Sequence, residues 1–367
     1  MNSPTPRSGI RDIAPYVGGE SVLEGQDTII KLSSNENAFG PSPLAEAAYT
    51  MAAEKLHRYP DGSYKQLREA IAKLHGIKAD SIVCGAGSDE IISLLCLAYA
   101  GLGDEVLYSQ HGFLMYPISA KAVGATPVFA EETDLTSNID ALIAMVNDST
   151  RLLFLANPNN PTGTYLSKNK LRLLRQNLRE DIILVIDAAY AEYATRNDYT
   201  SGIDLVEEFD NVVMTRTFSK IYGLGGVRLG WAYCPTKIAD ILNRIRGPFN
   251  VSTPAIEAGI AALSDKKFIE KTRTHNDTWL TWTRKEILKL GLKCPESAGN
   301  FLLVRFPIGI DNTKNVAETA DTYLKNRGIL VRRMAAYGLA DCLRISIGLE
   351  DEMKTTVNAL KDFLKNS

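Results

Sequence analysis

Thr217-Phe218-Ser219-Lys220, followed by Gly223-Leu224-Gly225-Gly226-Val227-Arg228-Leu229-Gly230, is the stretch on which the reading of this chain turns. It opens where the apolar run Asn211-Val212-Val213-Met214 ends, so a lysine stands just past an expected strand. A hydroxyl precedes that lysine, and an arginine follows across a glycine-dense loop. A lysine amine forms a Schiff base with an aldehyde. A serine hydroxyl and a planar guanidinium fork suit a phosphate dianion. An aldehyde and a phosphate on one small molecule describe pyridoxal 5'-phosphate. From this segment alone a solvated basic loop reads equally well, and the rest of the chain has to decide.

Working outward, 367 residues favour two domains, and 45% hydrophobic with 23% charged residues suits a globular protein with large cores. A net charge of -2 leaves no global field for nucleic acid or an anionic membrane. No apolar run approaches bilayer-spanning length, and the N-terminal stretch lacks a signal-peptide core, so a cytoplasmic protein is expected. Five scattered cysteines without a CxxC pair read as buried free thiols in a reducing compartment. The four histidines show no ligand spacing, so no metal is expected. The sequons at Asn250 and Asn276 are then accidental.

Residues 1–43 are rich in Pro and Gly and read as an extended arm. Helical patterns follow at 44–57 and 62–75, with Ser42 and Asp61 as N-caps. Apolar strands at 81–84, 105–108, 126–129, 152–155, 182–186, 212–214 and 229–232 alternate with helices at 88–100, 114–123 and 167–178. Continuously apolar strands between helices predict a mostly parallel, doubly wound α/β sheet. The pattern changes near 251. A helical stretch at 254–290, strands at 300–304, 329–331 and 343–346, and helices at 314–326 and from Glu350 predict a smaller α+β domain. The expected division is therefore 1–43, 44–250 and 251–367.

Ligands in such sheets gather at the carboxyl ends of the strands, and the polar residues fall there. Gly85-Ala86-Gly87-Ser88-Asp89-Glu90 opens a helix, whose free N–H groups suit phosphate. It fails the dinucleotide fingerprint at Glu90. Asn157-Pro158-Asn159-Asn160-Pro161-Thr162-Gly163 is a rigid turn that suits a cis peptide and fixes an amide at a strand end. Asp187 ends a buried strand, where a carboxylate needs a partner, and a protonated pyridine nitrogen is one. Tyr190 follows it. Arg332 and Arg344, in short apolar strands, suit a carboxylate or phosphate on a substrate.

Together these residues resemble the fold type I pyridoxal-phosphate-dependent aminotransferases, and among them the histidinol-phosphate aminotransferase family. The likeness runs through Leu32-Ser33-Ser34-Asn35-Glu36-Asn37, Arg58-Tyr59-Pro60-Asp61, Gly87-Ser88-Asp89-Glu90, Asn159-Asn160-Pro161-Thr162-Gly163, Thr217-Phe218-Ser219-Lys220 and Tyr337-Gly338-Leu339 leading to Leu343-Arg344-Ile345-Ser346. It implies a seven-stranded, mostly parallel sheet between helices plus a smaller C-terminal domain. It implies Lys220 as the catalytic lysine that carries the cofactor, Asp187 on the pyridine nitrogen, and Asn160 and Tyr190 on the phenolic oxygen. Ser219, Arg228 and the N–H groups of Ser88 and Asp89 would hold the phosphate, joined by Tyr59 from the other subunit of a homodimer. Phe113 would stack on the ring. Tyr16, Asn35, Arg332 and Arg344 would line the substrate pocket. The chain departs from the family at Phe113 (often Tyr), Ala86 (often Asn), Ala188 (often Glu) and Ala38 (usually Pro), none of which removes a catalytic group.

The resemblance implies ping-pong transfer from a small amino donor to a 2-oxo acid, histidinol phosphate and 2-oxoglutarate first. An aromatic amino-acid aminotransferase and a threonine-phosphate decarboxylase on the same fold stay open, since each needs the same cofactor and arginines for anionic substrates.

Overall fold

The computed structural model describes residues 4–7, 9–23, 25, 29–307 and 316–366. Its centre is a seven-stranded sheet, ordered Ile82–Gly85, Gly230–Tyr233, Val212–Thr217, Ile183–Asp187, Thr150–Ala156, Glu105–Ser109, Thr126–Ala130. Five neighbouring strands are mutually parallel. Gly230–Tyr233 runs antiparallel to both its neighbours. A glycine-rich loop with one 3-10 turn, Gly225–Val227, joins it to Val212–Thr217, and this short connection turns the chain back instead of carrying it over the sheet.

The inner strands bury both faces, which is why their runs are apolar without alternation, while the edge strand Thr126–Ala130 leaves Phe129 half exposed. In Thr150–Ala156, Leu153 and Leu155 face one core with Leu67, Ile71, Leu171 and Leu205. Leu152 and Phe154 face the other with Ile91, Leu95, Tyr116 and Leu242. Ser42 caps the helix Pro43–Ala52 as expected, its side chain accepting from the Ala45 N–H. The second helix starts later than expected, at Lys65, and Asp61 serves its approach by accepting from the Ser63 and Lys65 N–H groups. The stretch expected as one helix at 254–290 is two, Thr253–Ser264 and Lys266–Lys289. Asp265 leaves helical geometry and accepts from the Phe268 N–H, a cap that ends one helix and starts the next. Three helices escaped the pattern, Ile139–Ala144, Ile203–Glu208 and Thr236–Ile245. The first two span under two turns, too short for helical periodicity to register.

A three-stranded antiparallel sheet, ordered Phe301–Arg305, Leu339–Ser346, Arg332–Met334, has its own core of Leu302, Val304, Leu343, Ile345, Leu360 and Phe363. The helix expected at 314–326 runs from Val316 to Lys325; positions 314 and 315 lie outside the described residues. The N-terminal segment spans both parts. Lys121 Nζ donates to the Asp12 carbonyl beside the large sheet. Ile30–Lys31 pairs in parallel with Ile329–Leu330, and Leu32 enters the smaller core.

All five cysteines are free and buried, and burial pushes their thiols up to about 12. Among the described residues no helix is long and apolar enough to cross a membrane, and no cluster of metal-ligating side chains occurs.

Candidate active site

The carboxyl ends of the parallel strands surround a cavity of about 390 Å³. Lys220, Asp187, Asn160, Tyr190, Ser219, Arg228, Ser88, Asp89, Phe113, Tyr16, Asn35, Arg332 and Arg344 all line it. Tyr59 does not: it is 83% exposed and stacks on Phe249, ring centroids 4.7 Å apart.

Lys220 enters the cavity from the turn after Val212–Thr217. Its Nζ lies 3.4 Å from the Ser34 carbonyl and 5.6 Å from the Tyr190 ring. Burial, and then the positive charge of Arg344, push the amine down to about 8, while Tyr16 and Glu36 oppose and Arg228 adds to the shift.

Asp187 sits at the end of its strand, buried, with Tyr116 Oη donating to Oδ2 at 2.8 Å and Thr215 Oγ1 donating to Oδ1 at 3.1 Å. Burial raises its pKa, against both hydrogen bonds. Among the described residues no cation pairs with this carboxylate, so it suits a protonated ring nitrogen reached through the cavity.

A cradle that suits an anion forms where the helix Ser88–Tyr99 begins. Gly87 precedes it at φ 94° with no side-chain cap, leaving the first N–H groups free. Arg228, itself at φ 58°, aims Nη2 at Asp89 Oδ1 (2.6 Å) and Nη1 at Ser219 Oγ (3.4 Å). Gly230 lies so close behind that a β-carbon there would stand 2.3 Å from the Ser88 nitrogen. Gly230→Ala is therefore expected to displace the helix start and weaken pyridoxal phosphate binding at least tenfold in equilibrium dialysis; an unchanged dissociation constant would show that the cradle is not where the phosphate sits.

Asn160 and Pro161 are joined by a cis bond, as are Asn157 and Pro158. Asn160 Oδ1 accepts from Arg344 Nη1 at 2.6 Å. Asn35 Nδ2 donates to Tyr190 Oη at 2.9 Å, and Asn35 is held at φ 54° by Ser346, which accepts its N–H and donates to its Oδ1. Arg344 is buried, gives Nη2 to the Ser33 carbonyl, and has no partner for Nε among the described residues. It sits opposite Arg332 across the antiparallel pair Arg332–Met334 and Leu339–Ser346, a register that puts both on one face. Arg332 Nη2 donates to the Val17 carbonyl and its guanidinium lies 5.8 Å from the Tyr16 ring. Tyr16 meets Phe113 edge-on at 6.3 Å.

Two residues escaped the sequence reading. Tyr116 is fully buried, stacks on Phe154 at 4.8 Å, and meets Phe113 at 5.9 Å. Thr215 lies in register with Asp187. Thr215 was open to discovery, since it stands in the strand leading to Lys220; Tyr116 sits in an ordinary apolar helix and gives no signal.

The donor set thus offers an amine, a carboxylate with no cation beside it among the described residues, an anion cradle and an aromatic wall, which fit an aldehyde, a pyridine nitrogen, a phosphate and a ring. Residues 27–360 match the model of the class I and II aminotransferases, and the chain belongs to that family, whose enzymes work through pyridoxal phosphate. It is 58% identical to a histidinol-phosphate aminotransferase of Paramagnetospirillum magneticum over 99% of both chains, and 55% identical to one of Rhodospirillum rubrum over 98% of this chain and 97% of that one. Its fold is similar to the crystal structure of the Sinorhizobium meliloti histidinol-phosphate aminotransferase in complex with pyridoxal 5'-phosphate, at a TM-score of 0.90 and 27% identity, covering 100% of this chain and 99% of that one.

Proposed function

We propose that the chain transfers the amino group of histidinol phosphate to 2-oxoglutarate, as a step of histidine biosynthesis. The observation that carries this substrate is the Arg332–Arg344 pair, two guanidiniums on one face at the cavity wall, which suits a dianion at the far end of the donor. The names of the full-length relatives support the same reading.

Pyridoxal phosphate, when bound, supplies an aldehyde for amines and a ring that draws electrons from the substrate's α carbon. Lys220 would hold the aldehyde, and its free amine would be the group that carries the proton to and from that carbon. An amine with pKa about 8 is about one-tenth neutral at pH 7, enough for base work. Asp187 keeps the ring nitrogen protonated, with Tyr116 and Thr215 holding its two oxygens. Tyr190 and Asn160 would orient the phenolic oxygen, and Ser219, Arg228 and the start of the Ser88–Tyr99 helix would hold the phosphate. Phe113 covers the ring, while Tyr16 and Asn35 shape the substrate side.

We also propose a cytoplasmic homodimer in which Tyr59 completes the partner's phosphate site. Its exposure, with the exposed neighbours Leu56 and Met51, supports an interface there. Residues 44–250 are read as the cofactor domain and 251–367 as the small domain, with 1–43 as its arm.

A donor profile tests the substrate. The purified enzyme is expected to turn over histidinol phosphate with a kcat/KM at least about a hundredfold above phenylalanine or tyrosine, since a donor lacking the dianion leaves the buried Arg344 and the half-buried Arg332 without their shared anion. Reversal of that order would make it an aromatic aminotransferase; release of carbon dioxide from threonine phosphate would make it the decarboxylase.

A further inference from the structure

Behind the cavity, on the opposite face of the sheet from the Asp187 carboxylate, lies a buried ion pair that no step above uses. Arg216 donates to Glu192 Oε1 through Nη2 at 2.6 Å and Nε at 3.2 Å, the two side chains 6% and 8% exposed. We propose that Arg216 and Glu192 are positioning residues that fix the Lys220 turn against the Tyr190 loop.

Arg216 is the penultimate residue of the strand that delivers Lys220, four residues before it. Glu192 stands two residues past Tyr190, in the turn that follows Asp187. The pair therefore ties two strand ends whose side chains must meet the same small ring from different directions. The contact is held in place on both sides. Arg216 lies in register with Trp231 and packs 5.7 Å from its ring, with His75 tilted against the same indole at 5.3 Å. Tyr222, Tyr199 and His75 are further titratable groups felt by the guanidinium, and Tyr222 is two residues past Lys220. Glu192 is anchored through its backbone, whose carbonyl accepts from Arg273 Nε at 2.9 Å. Tyr199 Oη reaches the Asn157 carbonyl at 2.9 Å, linking the same region to the Asn160 turn.

A buried ion pair is a poor source of net stability, because desolvation cancels most of the attraction; an apolar pair of the same volume does as well or better. What an apolar pair cannot supply is a two-point, directional contact. The charges here thus act on geometry, and stability and geometry can be separated by substitution.

The double variant Arg216→Met with Glu192→Leu replaces the pair by apolar groups of similar volume. It is expected to melt within a few degrees of the parent, with kcat lowered at least tenfold and KM changed less than threefold. The cofactor-free protein provides a second readout. Its rate of pyridoxal phosphate uptake, trapped with borohydride, is expected to rise through a midpoint near pH 8 in the parent and half a unit or more higher in the double variant, as a loosened Lys220 regains water. Parent-like kcat and uptake midpoint at parent-like melting temperature would overturn the proposal. If the double variant does not fold, Arg216→Lys decides, since it keeps the charge and loses the planar fork: a tenfold lower kcat supports the proposal, and parent kcat overturns it. The inference rests on the proposed role of Lys220, and the parent's own uptake at Lys220 shows separately whether that role holds.

Discussion

Lys220→Ala is expected to abolish transamination, lowering kcat about a thousandfold or more, because in the proposed role one amine both anchors the cofactor aldehyde and moves the proton. The loss should not come from unfolding. An ordinary lysine titrates at 10.5 and Lys220 at about 8, so between those values the unfolded chain binds the extra proton. Stability from this group is lowest below pH 8 and rises with pH across that window. Removing the amine therefore leaves the melting temperature at pH 7 unchanged or higher. The same shift sets the pH dependence of cofactor loading: only the neutral amine attacks an aldehyde, so loading accelerates as pH climbs towards and past 8. Visible absorbance after borohydride treatment, with mass analysis of the modified peptide, checks both points. Modification at another lysine, or wild-type turnover by the alanine variant, would sink the assignment.

Asp187→Ala carries the second large effect, a fall in kcat of about a thousandfold with a smaller loss of cofactor affinity. A charge pair at contact distance in a partly shielded site is worth about 4 kcal/mol, which corresponds to about a thousandfold in rate. Asp187 supplies the only carboxylate held at the floor of its strand by Tyr116 and Thr215 among the described residues. Burial alone would favour its neutral acid, and the two donated hydrogen bonds oppose this. Tyr116→Phe should accordingly reproduce part of the defect while keeping the ring packed on Phe154. Single-turnover rates at saturating cofactor separate the chemical defect from weak binding; wild-type rates there would remove Asp187 from the reaction.

The positions of the site residues were legible because each lies just after an apolar strand, and a parallel sheet brings such ends together. Lys220, Asp187, Asn160 and the Ser88 helix start needed no more than that. The partnerships were not legible. Tyr116 reaches Asp187 from a helix whose sequence announces only burial, and Asn35 meets Tyr190 and Ser346 across most of the chain. The reversed Gly230–Tyr233 strand was hidden too, since apolar content reports burial and carries no direction. Asp265 shows the opposite failure: its capping chemistry was visible, and the helical periodicity on both sides masked it.

The parallel pairing of Ile30–Lys31 with Ile329–Leu330 carries a consequence for the order of synthesis. The wall that bears Asn35 leaves the ribosome first, and the strand that bears Arg344 and Ser346 emerges near the end. Domains fold largely as they appear, so the central sheet can form around Lys220 and Asp187 while Asn35 still lacks the serine that sets its backbone. A chain stopped before residue 339 has the amine and the carboxylate but no finished substrate wall. The Asn35 backbone would therefore be set only once the Leu339–Ser346 strand packs against it.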